Sequence, residues 1–174
     1  MLLKTDAKRV NILFVLLGSS WLLADCTPNR GTINETPEVC KRVFRTDKIN
    51  WDLPKTLSIN DLITVEKCGF ARHPGISFYS EIIDSEEYPI PSLLTELRRA
   101  DDDHWRAYVI YLIKAMIENE RFHSEVMRDR ELIMQEIDLA FNITRKESGA
   151  YERIHDLRDG IEIYFLKQDG MKFD

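Results

Sequence analysis

The residues able to do chemistry are few and scattered. The histidines are His73, His104, His123 and His155; carboxylates gather at Asp101-Asp102-Asp103, at Glu86-Glu87 and at Glu118 with Glu120; the cysteines, Cys26, Cys40 and Cys68, are single and far apart. A metal held by side chains needs ligands at short, paired spacing, such as two histidines four apart on one helix face or paired cysteines. Nothing here has that spacing, so no metal ligand is assigned. The aspartate triplet beside His104 comes nearest. Consecutive carboxylates point in different directions, whereas an aspartate just before a helix start accepts its free N–H groups, so the triplet is read as a cap. There is no glycine-rich phosphate loop, nucleophile elbow or cysteine with a spaced histidine, and neither a catalytic residue nor a cofactor is assigned.

Binding chemistry is better represented than catalytic chemistry. Phe78, Tyr79, Tyr88, Trp105, Tyr108 and Tyr111 lie close in sequence, and Tyr111 with Trp51 would line a groove able to grip a peptide or a glycan. A stripe at helical spacing is more commonly core, and both readings stand at this point. Arg98, Arg99 and Arg106 make a basic edge beside the acidic turn, read as a solvated face with weak ion pairs. Over the whole chain of 174 residues, 24 Lys and Arg oppose 30 Asp and Glu, a net charge of -6. Phosphate-backbone affinity comes from concentrated positive charge, so no nucleic-acid partner is expected. The 44% hydrophobic and 31% charged composition is that of one globular domain.

The amino terminus carries an address. Lys4, Lys8 and Arg9 precede an apolar run from Val10 to Ala24, the layout of a secretory signal, with a buried helix as the structural alternative. The run is shorter than the roughly 20 residues that cross a bilayer as a permanent helix. Leu23-Ala24-Asp25-Cys26 resembles the lipobox of bacterial lipoproteins, in which cleavage leaves the cysteine first and lipid-modified. Asp25 departs from the small, uncharged residue usual before that cysteine. The rival cut sets Ala24 and Cys26 as the small residues before the scissile bond and releases a protein beginning at Thr27. If the resemblance holds, lipid on Cys26 leaves Cys40 and Cys68 to pair, a bridge contributing roughly 3 kcal/mol, against the alternative of two buried thiols. Removing residues 1–25 leaves 149 residues with a net charge of -7. Asn34-Glu35-Thr36 and Asn142-Ile143-Thr144 fit the glycosylation sequon, which matters only in a eukaryotic secretory route.

Residues 26–56 are polar and proline-punctuated, a tether and irregular arm docked by Trp51, Leu53 and Leu57. From 57 to 174 the pattern is helical. Ser58 caps a helix that Gly69 ends; Ile76, Tyr79, Ile82 and Ile83 recur at helical spacing; Pro91 stands in the first turn of the next helix, with Leu93, Leu94 and Leu97 as its stripe. Positions 105, 108, 109, 112, 113, 116 and 117 are apolar and define a core helix. Val126 to Phe141 and Tyr151 to Phe165 supply two more, with Gly149 in the turn between and Asp169-Gly170 as the stop.

Ile90-Pro91-Ser92-Leu93-Leu94-Thr95-Glu96-Leu97, the aspartates, and His104-Trp105-Arg106-Ala107-Tyr108-Val109 resemble one HEAT-like repeat, two antiparallel helices joined by a short acidic turn. Pro91, Asp102 and Arg106 match the repeat's proline, aspartate and arginine, and the resemblance implies that Asp102 and Arg106 form the hydrogen-bond ladder between stacked units. His73-Pro74 with Ile90-Pro91 is also similar to small bacterial proteins of unknown function that contain this module. The expectation is an all-α domain, a short HEAT-like hairpin array of five or six helices without internal sheet, the helix at 59–68 serving as an end cap. Functionally, the expectation is an exported cell-envelope module, facing the periplasm or exterior, that binds a protein of unknown identity and touches the membrane through a lipid on Cys26. The alternatives are a periplasmic inhibitor or immunity protein that captures a basic toxin or hydrolase, and an envelope enzyme with scattered residues.

Overall fold

In a computed structural model the protein is described over residues 36–45, 48–72 and 75–171. The signal-like segment, Cys26, the first part of the tether, Asn34 and His73-Pro74 lie outside the described residues. The helices are α1 (Glu38–Val43), α2 (Ile59–Arg72), α3 (Tyr79–Ile83), α4 (Ile90–Arg99), α5 (Asp103–Glu118), α6 (His123–Ile143) and α7 (Ala150–Gln168), with a short 3₁₀ turn at Leu53–Thr56. Among the described residues the β structure is one isolated bridge between Phe44 and Ile49. No helix among them is long and apolar enough to cross a membrane.

The helices from α2 onward pair as three antiparallel hairpins, α2–α3, α4–α5 and α6–α7. These stack so that α2, α4 and α6 lie side by side in one layer and α3, α5 and α7 in the other. Local chemistry sets the boundaries. Ser58 Oγ accepts from the Asp61 N–H at 3.3 Å and donates to its carboxylate at 3.0 Å, which starts α2. Pro91 stands in the first turn of α4, where its missing N–H costs nothing. Gly170, with φ +83°, ends α7: its N–H reaches the Lys167 carbonyl and Met171 N–H the Leu166 carbonyl, as glycine in the left-handed region allows.

Two helix limits differ from the periodicity. Gly69 does not stop α2, which continues to Arg72. Its missing side chain serves close approach: a Cβ there would stand 3.2 Å from the Ile76 carbonyl oxygen and 3.4 Å from the Phe44 ring. The helical spacing from Ile76 also overstates α3, because residues 76–78 are not helical. They are held by Glu66 of α2, a buried carboxylate that accepts from Ser77 Oγ (2.8 Å), the Phe78 N–H (2.5 Å) and the Tyr108 hydroxyl. Three donors replace the water that burial removes.

The arm is more than a tether over its described part. Cys40 and Val43 of α1 are fully buried with Val65 and Phe78, and Phe44, Leu53 and Leu57 pack around them, so the arm covers α2. The helix expected to cap the array is thus the first member of a hairpin, and the arm covers it. Cys40 and Cys68 come to disulfide distance there, with Cα atoms 6.3 Å apart. Trp51 is mainly exposed, its ring 5.7 Å from Phe78. At the other end, Arg158 on α7 bonds Asp138 on α6 at 2.5 Å, and Arg130 on α6 bonds Asp169 at 2.7 Å.

Candidate binding face

The acidic turn between α4 and α5 splits its work among its carboxylates. Asp102 is the N-cap of α5, accepting from the Trp105 N–H at 2.7 Å. Arg106 takes Asp103, not Asp102, as its carboxylate partner. It also donates to the Ala100 carbonyl at 2.6 Å and to Thr144 Oγ1 at 3.4 Å, while Arg145 donates to the other Asp103 oxygen at 3.1 Å. Thr144 and Arg145 follow α6, so this network ties the turn of the second hairpin to the turn of the third. The Asp102–Arg106 ladder implied by the repeat is therefore replaced by one register shift: the cap residue is free for the helix N-terminus, and its neighbour, pointing inward, meets the arginine. Burial pushes the Asp103 carboxyl up, and the hydrogen bonds and charges of Arg145 and Arg106 outweigh that to hold it below the usual range.

The expected basic edge keeps two of its three arginines. Arg106 is buried, while Arg98 and Arg99 stay exposed, Arg98 bonding Glu136 on α6 at 2.7 Å. Arginines at neighbouring positions on a helix end separate because successive side chains point 100° apart.

Helix α5 is enclosed on nearly every side. One stripe reaches solvent: His104, Tyr108, Tyr111, Lys114, Ala115 and Glu118, three or four residues apart. Its aromatic members continue into the neighbouring hairpin. Trp105 stacks on Tyr108 with ring centroids 5.6 Å apart, Tyr108 lies 6.0 Å from Tyr111, and Tyr111 stacks on Tyr79 of α3 at 5.7 Å. Phe70, near the end of α2, closes the other side at 5.3 Å from Trp105 and 5.2 Å from Tyr108. The ladder grades from core to surface: Trp105 is 2% exposed, Phe70 39% and Tyr111 43%. The core reading therefore holds for Trp105 and not for Tyr111, which the same helix exposes.

Beyond Tyr111 the stripe opens into a cleft of about 380 Å³ between α3, α5 and α7, lined by Tyr79, Ile83, Tyr111, Lys114, Glu118 and Leu157 among others. Burial raises the Tyr79 hydroxyl above its ordinary pKa, helped by Tyr111, Glu118 and Asp84. Burial and then the bond to Glu66 raise Tyr108 further. Both hydroxyls are therefore protonated at neutral pH and remain hydrogen-bond donors. The cleft thus presents an aromatic wall with polar handles on a rigid helix.

No family model, curated protein or solved structure matches the chain. Its chemistry is read from its own geometry. Among the described residues no three His, Cys, Asp or Glu side chains gather where they could hold a metal ion. His104 lies on the α5 stripe, His123 is exposed at the start of α6, and His155 is half-exposed with Nδ1 3.5 Å from Asp159. Glu86 and Glu87 are exposed between α3 and α4. Nothing in the sequence pattern assigns a role to Glu66, Lys114 or Gly160. A lone glutamate inside an apolar stretch was the available signal for the first. A glycine in the middle of α7 was the signal for the last, where a Cβ would come 3.1 Å from Lys114 Cε.

Proposed function

We propose that this protein is an exported HEAT-like helical module that binds another protein through the α5 stripe and performs no chemistry of its own. The observation that carries the reading is the stripe: helix α5, enclosed on nearly every other side, surrenders burial along one line that carries Tyr108 and Tyr111 and opens into a cleft. Large rigid rings with a polar tip give contact area at little entropic cost, which is why tyrosine concentrates where proteins meet. Stacking of hairpins in two layers, with a buried arginine joining successive turns, supports the HEAT-like assignment. The acidic surface, with a net charge of -6 for the chain, favours as second reading an inhibitor or immunity protein that captures a basic toxin or hydrolase.

The basic flank, the apolar run and Leu23-Ala24-Asp25-Cys26 support export and attachment through a lipid on Cys26, in a bacterial envelope. Two or more acyl chains hold an acidic domain at a bilayer, at about 0.8 kcal/mol per buried methylene. Cys26→Ser is expected to abolish incorporation of a fatty-acid probe and to move the protein from the membrane to the soluble fraction, with its helical circular dichroism unchanged. A wild type that begins at Thr27 and takes up no probe refutes the anchor. The binding face is tested by crosslinking in the native cell: a photoreactive residue at Tyr111 should capture the partner, and one at the exposed Glu131 of α6 should not.

A further inference from the structure

We propose that the cleft between α3, α5 and α7 receives a single arginine side chain of the partner. This deepens, and rests on, the reading of the α5 stripe as the binding face. Three features of the cleft converge on a positive guest.

The first is its wall. Tyr79 and Tyr111 stack with their planes 29° apart, and Ile83, Ala115 and Leu157 complete an apolar lining. A guanidinium or ammonium over a tyrosine ring is drawn to the negative face of its quadrupole, while the aliphatic stem of the same side chain covers apolar surface.

The second is charge. Glu118 lines the cleft with about half of its side chain exposed. Asp84 lies near enough to act on the Tyr79 hydroxyl, and Glu120 together with Glu118 acts on Tyr164 of α7. The third is the helix end. Helix α5 finishes at Glu118, with the Asn119 N–H bonded to the Ala115 carbonyl, so the negative end of its dipole is directed at the cleft rim, and its last turn holds no basic residue.

One cation already lines the cleft. Lys114 bonds Glu118 one turn on, and its stem lies across Gly160 of α7, where any larger residue would crowd it. In the free protein Lys114 occupies the place of the guest and keeps Glu118 paired. An arginine entering the cleft beside the stacked tyrosines takes over Glu118 with a two-pronged donor that a lysine ammonium cannot match, and Lys114 withdraws to solvent.

The test uses the full chain and three blocked pentapeptides, identical but for a central arginine, citrulline or norleucine, followed by nuclear magnetic resonance of the tyrosine rings. The arginine peptide should shift Tyr79 and Tyr111 saturably, and added salt should weaken it. Citrulline and norleucine should bind at least about fivefold more weakly, and Tyr111→Leu or Glu118→Gln should each weaken the arginine peptide about three- to fivefold. Lys114→Met should strengthen it. Both Tyr111 and Glu118 are exposed, so their variants are expected to fold, which circular dichroism checks. Norleucine binding as tightly as arginine, or an arginine peptide that leaves both rings unmoved, overturns the proposal. Neither result bears on the wider reading of the face, which is decided by crosslinking from position 111.

Discussion

Replacing Arg106 with methionine is expected to remove about 3–5 kcal/mol of folding stability, a large part of the 5–15 kcal/mol that holds a domain of this size. The methionine fills much of the arginine's volume, so the loss is electrostatic. It leaves the Asp103 carboxylate buried with Arg145 alone, and it strips donors from the Ala100 carbonyl and from Thr144. Arg99→Met, at the exposed last residue of α4, should stay within about 0.5 kcal/mol. Adding Asp103→Asn to Arg106→Met should recover part of the loss, because no unpaired charge then remains inside.

The same pair makes a pH prediction. The folded Asp103 carboxyl sits below its ordinary 3.8, so its contribution is fully present above that value and is lost as pH falls toward the folded pKa. Arg106→Met removes part of the depression. The stability gap between wild type and variant, measured by urea denaturation, should therefore be constant near neutrality and narrow below about pH 4. Equal small effects for Arg106→Met and Arg99→Met would remove the inter-hairpin network from the account.

Trp105→Ala should cost a similar amount, about 3–5 kcal/mol, for a different reason. Trp105 is the ring through which α5 meets the other layer. Its face packs on Phe70 of α2, Lys67 Nζ lies 5.9 Å above it, and its Nε1–H donates to Glu96 of α4 at 2.8 Å. Truncation opens a cavity at the junction of three helices and leaves Glu96 to Lys67, which bonds it at 2.7 Å. Trp105→Phe separates the two terms: it keeps most of the packing and should lose only about 1–2 kcal/mol for the missing donor. Trp105→Asp places an unpaired charge in the core and should prevent folding.

Features governed by local chemistry were the legible ones. Ser58, Pro91, Asp102 and Gly170 act through hydrogen bonds or backbone freedom within a few residues, and each sits at the boundary its type demands. Periodicity found α4 to α7 because their buried residues recur every three or four positions. It failed where the deciding contact is distant. Gly69 looks like a stop in the sequence, yet what fixes it is the Ile76 carbonyl pressed against it. Arg106 was matched to Asp102 by repeat register, whereas its partner is selected by which aspartate points inward and by Arg145, 39 residues later in the chain. Sequence pairs Tyr111 with Trp51 in a groove, but Tyr79 is the ring it stacks on, and Trp51 lies against Phe78. Which aromatic of a helical stripe is core and which is surface depends on the helices packed to either side, and one helix's sequence does not contain them.

The central claim, that the α5 stripe is where this protein meets its partner, is tested most directly by a crosslinking scan in the native cell. Photoreactive residues are placed one at a time at His104, Tyr111 and Glu118 on the stripe, and at Arg99, Glu131 and Glu152 elsewhere on the surface, all exposed positions. The account predicts one adduct of constant mass from the three stripe positions, strongest at Tyr111, and none from the other three. An adduct that forms from Glu131 or Arg99 and is absent at Tyr111 would contradict it.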